Sequence, residues 1–482
     1  MKVFISYPPL ESPKGVPLLG QNRQFQWFNS KSYIYPMVPA YAATLLKSKG
    51  YDVAWDDAIA EEKSFKEWLD DICNEKPDVI LIETKTPVVT MHWDIVFAIK
   101  ENLPNAKVVL CGDHVTALPG ESMKNCPCDY VITGGDYDFL LLNICDHIKN
   151  KKKMEPGIWY REGARVKNTG KFRLDHDLTS LPMIDRELTK WWLYKENGNY
   201  KHLPGTYMYS GRDCWWAKCK FCSWTTLFPQ YRVRTVEQQL DEIGALIEKY
   251  GVREIMDDTG TFPSGKWLRE FCRGMISRKY NKKVRISCNM RVDGCTAKDY
   301  ALMSEAGFRF VLYGLESASQ DTLDRICKGT KVAQIEEGVR NAKKAGLNPH
   351  LTCMIGYPWE TKDDAQRTID FAKRLFSMGY ADTLQATIVV PYPGTALYSE
   401  CHRNGLLNYD GIDGWAHYDM REAVMKTALA PDEIKDMAQQ LYKLFFTPRY
   451  VLNQIRAIKT KDDLKYILRG AGKIFGHLKD FS

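Results

Sequence analysis

The residues of this chain best suited to chemistry are the three thiols of Cys214-Trp215-Trp216-Ala217-Lys218-Cys219-Lys220-Phe221-Cys222. A strand-like Tyr207-Met208-Tyr209-Ser210 precedes them, and Gly211 and Asp213 supply turn chemistry, so the thiols fall on a loop. On a loop, three sulfurs can converge on one side without regular backbone between them. Thiolates are the usual ligands of iron–sulfur clusters, which normally take four. The next cysteine, Cys272, follows Cys222 by fifty residues. A [4Fe–4S] cluster held by these three therefore keeps one iron open to a small molecule. Two other readings stand beside this one. A structural zinc site wants four ligands, usually in paired Cys-x2-Cys or histidine spacing, and only Cys219 and Cys222 make such a pair. Buried, inert thiols are the third reading, because free cysteine is among the most buried residue types.

The elements that must position this loop are legible in the hydrophobic pattern. Over residues 1–148, strands are predicted at 2–7, 52–55, 78–83, 107–111 and 129–133, with helices around 40–49, 65–74, 92–102, 121–124 and 137–149. Strands alternating with helices imply a doubly wound parallel sheet, which binds ligands beyond the carboxyl ends of its strands. The loops there carry Pro8-Pro9-Leu10, Glu83-Thr84-Lys85-Thr86, Cys111-Gly112-Asp113-His114-Val115-Thr116 and Gly134-Gly135-Asp136. Their glycines admit close backbone approach and their threonines offer hydroxyls. Residues 149–203 read as a connector with a small hairpin about Glu162-Gly163. From 204 the alternation resumes, with strands at 206–210, 253–256, 284–288, 308–313, 350–355 and 384–389. Six βα units make a partial barrel, and polar residues and glycine collect at the carboxyl ends, where barrels build active sites.

The cysteine motif resembles that of the radical S-adenosylmethionine (SAM) enzymes, usually Cys-x3-Cys-x2-Cys with an aromatic residue before the last cysteine. Phe221 holds that place, while the interval from Cys214 to Cys219 is one residue longer. With the downstream strand ends and the N-terminal half, the chain resembles the cobalamin-binding branch of that family over roughly residues 1–400. The resemblance implies an α/β protein with four parts. These are a Rossmann- or flavodoxin-like cobalamin domain at 1–148, the connector at 149–203, a partial (β/α)6 TIM-type barrel at 204–399 and a helical region at 400–482. It assigns Cys214, Cys219 and Cys222 to the cluster. It assigns SAM contacts to Phe221, to Asp257 and Asp258 after the second barrel strand, and to Arg291 after the third. Further SAM contacts are Glu316 and Ser317 after the fourth, Gly356 and Pro358 after the fifth, and Val389 and Val390 at the sixth. Helix capping remains an alternative for the aspartates, and a structural ion pair for Arg291. Cobalamin contacts are implied for Pro8, Pro9, Thr84, Thr86, Gly112, Asp113, His114, Val115, Thr116, Gly134, Gly135 and Asp136. The cobalt-ligating Asp-x-His-x-x-Gly of other cobalamin proteins is absent, Asp113 and His114 being adjacent. The implied cobalamin therefore has no histidine on its lower face, and His114 reads as a turn residue bonding its own loop.

A chain of 482 residues is long enough for two or three domains. A net charge of +7 is mild for that length and gives no sign of nucleic acid. Fourteen cysteines without a signal-like N-terminus point to a reducing cytoplasm. No apolar run reaches transmembrane length. The tract 449–479 interleaves apolar residues with lysines and arginines. Such a helix can lie on an anionic membrane, although a cap on the barrel is the plainer expectation. Trp415, His417 and Tyr418 fit either closure over a pocket or core packing. The resemblance implies a small-molecule, lipid or peptide substrate and an electron donor such as flavodoxin or ferredoxin. Its expected chemistry is a 5′-deoxyadenosyl radical made from SAM at the cluster and methylation of an unactivated carbon through methylcobalamin. Ring formation or rearrangement without methyl transfer is the alternative within the family, and an iron–sulfur electron-transfer or sensing protein the alternative outside it.

Overall fold

The computed structural model describes residues 1–19, 25–196 and 200–480. Its first half is a sheet of β1 (Lys2–Tyr7), β2 (Asp52–Asp57), β3 (Val79–Glu83), β4 (Lys107–Cys111), β5 (Tyr130–Ile132), β6 (Ile158–Glu162) and β7 (Arg165–Asn168). The order is β2-β1-β3-β4-β5-β6-β7. The first five strands run parallel and the last two are antiparallel. Every residue of β3 is buried, as expected of a parallel strand covered by helices on both faces. The expected hairpin forms, and it does more than connect. It pairs with β5 and carries the sheet beyond residue 148.

The second sheet is β8 (Gly205–Met208), β9 (Glu254–Asp257), β10 (Arg285–Met290), β11 (Phe308–Glu316), β12 (Asn348–Ile355) and β13 (Thr383–Ile388), parallel and in chain order. Three of its crossover helices begin at threonines that close capping boxes: Thr235 with Gln238, Thr296 with Asp299 and Thr361 with Asp364. Each cap satisfies orphan N–H groups and fixes where the preceding loop ends.

At the amino ends of the strands, the carboxylate of Glu254 is fully buried. It accepts from Arg309 Nε at 2.9 Å, Ser287 Oγ at 2.9 Å and the backbone N–H groups of Lys201 and His202. The C-terminal helix, Lys461–Asp480, starts at the same end. Asp462 pairs with Arg253 and His202, Asp463 with Lys201, and Arg309 lies over the Tyr466 ring. The helix then reaches the N-terminal half, where Lys473 Nζ donates to Ser32 Oγ at 3.2 Å. It thus spans from the floor of the barrel to the first sheet's loops, across the side where edge strands β8 and β13 do not meet.

After β12 the chain turns at Gly356, whose φ of +102° suits glycine and whose N–H donates to buried Glu360 at 2.6 Å. Burial, only partly offset by such backbone donors, pushes the Glu360 carboxyl up to about 7.

Two predictions follow from these buried carboxylates. Glu254→Ala removes the buried carboxylate that Arg309, Ser287 and two backbone N–H groups share and should cost roughly 3–5 kcal/mol, read as a lower unfolding temperature. Glu360 stabilises while protonated, and that contribution is lost as pH rises from the ordinary carboxylate range through about 7. Glu360→Gln keeps an acceptor for Gly356 and removes the titration. Thermal unfolding across this window should show wild type losing stability relative to the glutamine variant, and parallel profiles would contradict it.

Candidate active site

One cavity of about 600 Å³ runs inside the half-barrel, within the range of small-molecule sites. Cys214, Cys219 and Cys222 line one end of it. They are half-buried, as are Cys73, Cys295 and Cys327, whereas Cys111, Cys145, Cys272, Cys288 and Cys353 are enclosed in the core. No three His, Cys, Asp or Glu side chains among the described residues converge on a single ion. That holds for the three thiols as well. The donor chemistry fits a three-thiolate cluster, and the Thr261 hydroxyl donates to Cys214 Sγ at 3.0 Å.

The loop is held by aromatic packing that the motif does not announce. Trp216 Nε1 donates to the carbonyl of Cys327 at 2.7 Å. Gly329, at φ +69°, leaves room for the indole: a Cβ there would come within 2.1 Å of it. The Arg291 guanidinium lies over both Trp215 and Trp216, with centroid distances of 5.1 and 4.6 Å. It also pairs through two nitrogens with Asp293 and donates to the carbonyl of Lys328 at 2.8 Å. Arg291 reaches the cavity wall, and its charge is already matched by Asp293.

Of the other expected SAM residues, Phe221, Asp258, Glu316 and Val390 line the cavity with the cysteines. Asp257, Ser317, Gly356, Pro358 and Val389 do not. Asp257 turns inward to Ser210 Oγ at 2.6 Å and Thr259 N at 3.1 Å, and burial raises its carboxyl to about 6 despite those bonds. Ser317 is fully buried against Thr368. Glu316, at φ +62°, pairs with buried Lys328 at 2.7 Å. Lys328 and Thr261 escaped sequence reasoning, and both sit on loops without a periodic signal. The interior wall carried one that was not used. Phe310, Leu312, Gly314 and Glu316, like His350, Thr352 and Met354, alternate along their strands and all face the cavity.

The expected cobalamin residues collect at the carboxyl ends of β1, β3, β4 and β5, against the barrel. Gly135 N donates to Leu227 O at 3.0 Å, and a Cβ on Gly135 would overlap Phe228, just after the cluster loop. Gly112 approaches Thr84 so closely that a Cβ would meet its carbonyl at 2.1 Å. Thr116 Oγ1 donates to Gly112 O and accepts from Gly134 N. Thr84 meets His92. His114 is fully buried between Thr86 and Glu121, with Trp415 edge-on at 5.4 Å. Trp415 and Tyr418 are core residues over these loops. Gln26 keeps both amide atoms, and Thr226 its hydroxyl, buried without a partner among the described residues. Such polar groups suit a ligand rimmed with amides.

The C-terminal helix presents Tyr466, Ile467 and Ile474 to the cavity, as a barrel cap does. Leu464 and Leu468 remain on its outer face. No described helix is long and apolar enough to cross a membrane.

Comparison with known proteins agrees with this geometry. Residues 208–372 match the Radical SAM superfamily and residues 28–139 the B12 binding domain. The chain is 28% identical to an uncharacterized methyltransferase of Pyrococcus horikoshii over 87% of this chain and 90% of that protein. It is 26% identical to the anaerobic magnesium-protoporphyrin IX monomethyl ester cyclase of Cereibacter sphaeroides over 85% and 67%. In fold it is similar to the radical SAM methyltransferase TsrM of Kitasatospora setae, a structure with cobalamin and a [4Fe–4S] cluster bound, at a TM-score of 0.67 and 15% identity over 92% and 85% of the two chains. With a three-cysteine loop on a half-barrel and both models matched in order, the chain carries a B12 binding domain followed by a Radical SAM superfamily domain.

Proposed function

We propose that the protein methylates an unactivated carbon of a largely apolar substrate. The supporting observation is the cavity itself, which brings three thiols, the carboxylates of Asp213, Asp258 and Glu316, and the apolar side chains of Phe310, Leu312 and Met354 together in one chamber. When bound, the cluster with SAM supplies one-electron activation of an aliphatic C–H bond, and methylcobalamin supplies the methyl group.

The chain's part is to hold and enclose. Cys214, Cys219 and Cys222 would ligate the cluster, and the Thr261 hydroxyl on Cys214 would tune it, since hydrogen bonds to ligating sulfur help set cluster potentials. Asp258 and Glu316 would accept from the SAM amino group, with Lys328 balancing the Glu316 charge. Val390 and Phe221 would give the adenosyl portion apolar cover. Asp257, Ser317, Gly356, Pro358 and Val389 would support these from behind. Arg291 would act by fixing the cysteine loop. The loops from Pro8 to Asp136 would cradle cobalamin, with Gln26 and Thr226 meeting its amide rim. His114, with both ring nitrogens engaged by Thr86 and Glu121, would support these loops rather than bind metal. Electrons would come from a flavodoxin- or ferredoxin-type donor. The cyclase among the relatives supports a second reading, radical ring closure in the same cavity without methyl transfer.

Anaerobic reaction of the reconstituted enzyme with SAM, reductant and an apolar acceptor tests the choice. S-adenosylhomocysteine together with deoxyadenosine and an acceptor heavier by one methyl group is expected. Deoxyadenosine with no methylated product would replace this reading by the second. Asp258→Asn and Glu316→Gln should each weaken SAM binding about tenfold or more while iron content holds. Ser317→Ala should change SAM affinity little, and equal losses at all three positions would contradict the assignment.

A further inference from the structure

The cavity carries a charge that neither the cluster loop nor the SAM contacts use. Three cations line it: Arg291, Lys328 and Lys473. Arg291 is matched by Asp293 and Lys328 by Glu316. Lys473 forms no ion pair with a carboxylate among the described residues, and its ammonium donates to the Ser32 hydroxyl at 3.2 Å. Burial, with the charge of Arg469 one turn earlier, lowers its pKa to about 8. Arg469 donates to Tyr200 O at 2.9 Å and keeps its Nε buried without a partner among the described residues. Two like charges four residues apart destabilise a helix, and an anion between them would offset that repulsion.

The same helix face has been cleared of bulk. Between Ile467 and Ile474 the cavity side carries Gly470 and Ala471. A Cβ at Gly470 would meet nothing within 4 Å, so the cavity wall is open at this turn. The cavity mouth nearby is framed by the exposed apolar residues Phe446, Val451 and Ile455.

We propose that Lys473, with Ser32 and Arg469 beside it, receives the single anionic end group of an otherwise apolar substrate whose body lies over Gly470 and Ala471 toward the cysteine loop. The assignment rests on the reading of this cavity as the substrate chamber, and it narrows the acceptor to an amphipathic carboxylate or phosphate. The anion anchors one end, so the apolar carbon chain is the part presented to the reactive end of the cavity.

The test measures binding without turnover, in full-length protein reconstituted anaerobically with cluster and cobalamin. Dansyl-undecanoate and its methyl ester serve as fluorescent probes, and iron content and cobalamin absorbance report intact folding. The acid should bind about tenfold or more tighter than the ester. Lys473→Met should abolish that preference, Lys473→Arg should retain most of it, and Gly470→Leu should weaken both probes by filling the space. Displacement of the acid by laurate rather than dodecyl phosphate assigns a carboxylate head group, and the reverse assigns a phosphate. Displacement by neither overturns the site. So does equal binding of acid and ester to wild type, a preference that survives Lys473→Met, or loss of cobalamin or SAM binding in that variant with the preference intact. Because no product is measured, a failure of methyl transfer leaves this result standing, and a failed probe leaves the methylation reading standing.

Discussion

Two residues before the first cluster cysteine, Arg212 is buried between the carboxylates of Asp136 and Asp138, at 2.9 Å from Asp136 and in a short contact with Asp138. Asp136 also takes Arg232 and His176. Burial alone would raise the Asp136 carboxyl, but His176 and the two arginines hold it well below the ordinary range. A buried charge with its partner removed is severely destabilising, so these groups keep one another in place. Asp136 ends the loop after β5, and Arg212 begins the cysteine loop. The ion-pair cluster thus pins the ligand end of the first sheet to the cluster end of the barrel, and everything proposed for the site depends on that juxtaposition.

From that anchor the rest follows by packing. Phe228 fills the space that Gly135 leaves, and the short helix Trp224–Leu227 lies against Asp113–Ala117. On the far side of the cysteines, the Arg291 charge lies over both Trp215 and Trp216, and Trp216 ties the loop to Cys327 and Gly329. The loop is therefore held at both ends by charges inside low-dielectric surroundings, where ion pairs and cation–π contacts count for more than at the surface. Below it, the alternating inward residues of β11 and β12 form the wall, and the C-terminal helix closes the gap that six strands cannot.

Much of this was legible from residue order. The strands of both sheets lie within a few residues of their expected positions, because their apolar runs are bounded by glycine, proline and acidic turns. The three cysteines, Phe221, Asp258, Glu316 and Val390, singled out by the resemblance, line one cavity. Adjacent residues at a strand end were harder to separate, because successive side chains face opposite ways and register decides which one enters the barrel. That is why Asp258 and Glu316 face the cavity while Asp257 and Ser317 turn away. Contacts made across long separations left no local signature. Arg212 with Asp138, Trp415 against His114, and Lys473 with Ser32 join residues 74, 301 and 441 positions apart. The hairpin at 158–168 read as a connector because pairing with β5 depends on tertiary placement rather than on its own sequence.

The central claim is that the ion pairs of Arg212 hold the loops proposed to bind cobalamin next to the three-cysteine loop. Electron paramagnetic resonance of anaerobic protein carrying cob(II)alamin, recorded before and after one-electron reduction of the cluster, tests it most directly. The account predicts that cluster reduction broadens the cobalt signal or speeds its relaxation, and that Arg212→Met weakens this magnetic coupling. A cobalt signal indifferent to the state of the cluster in wild-type protein would contradict it.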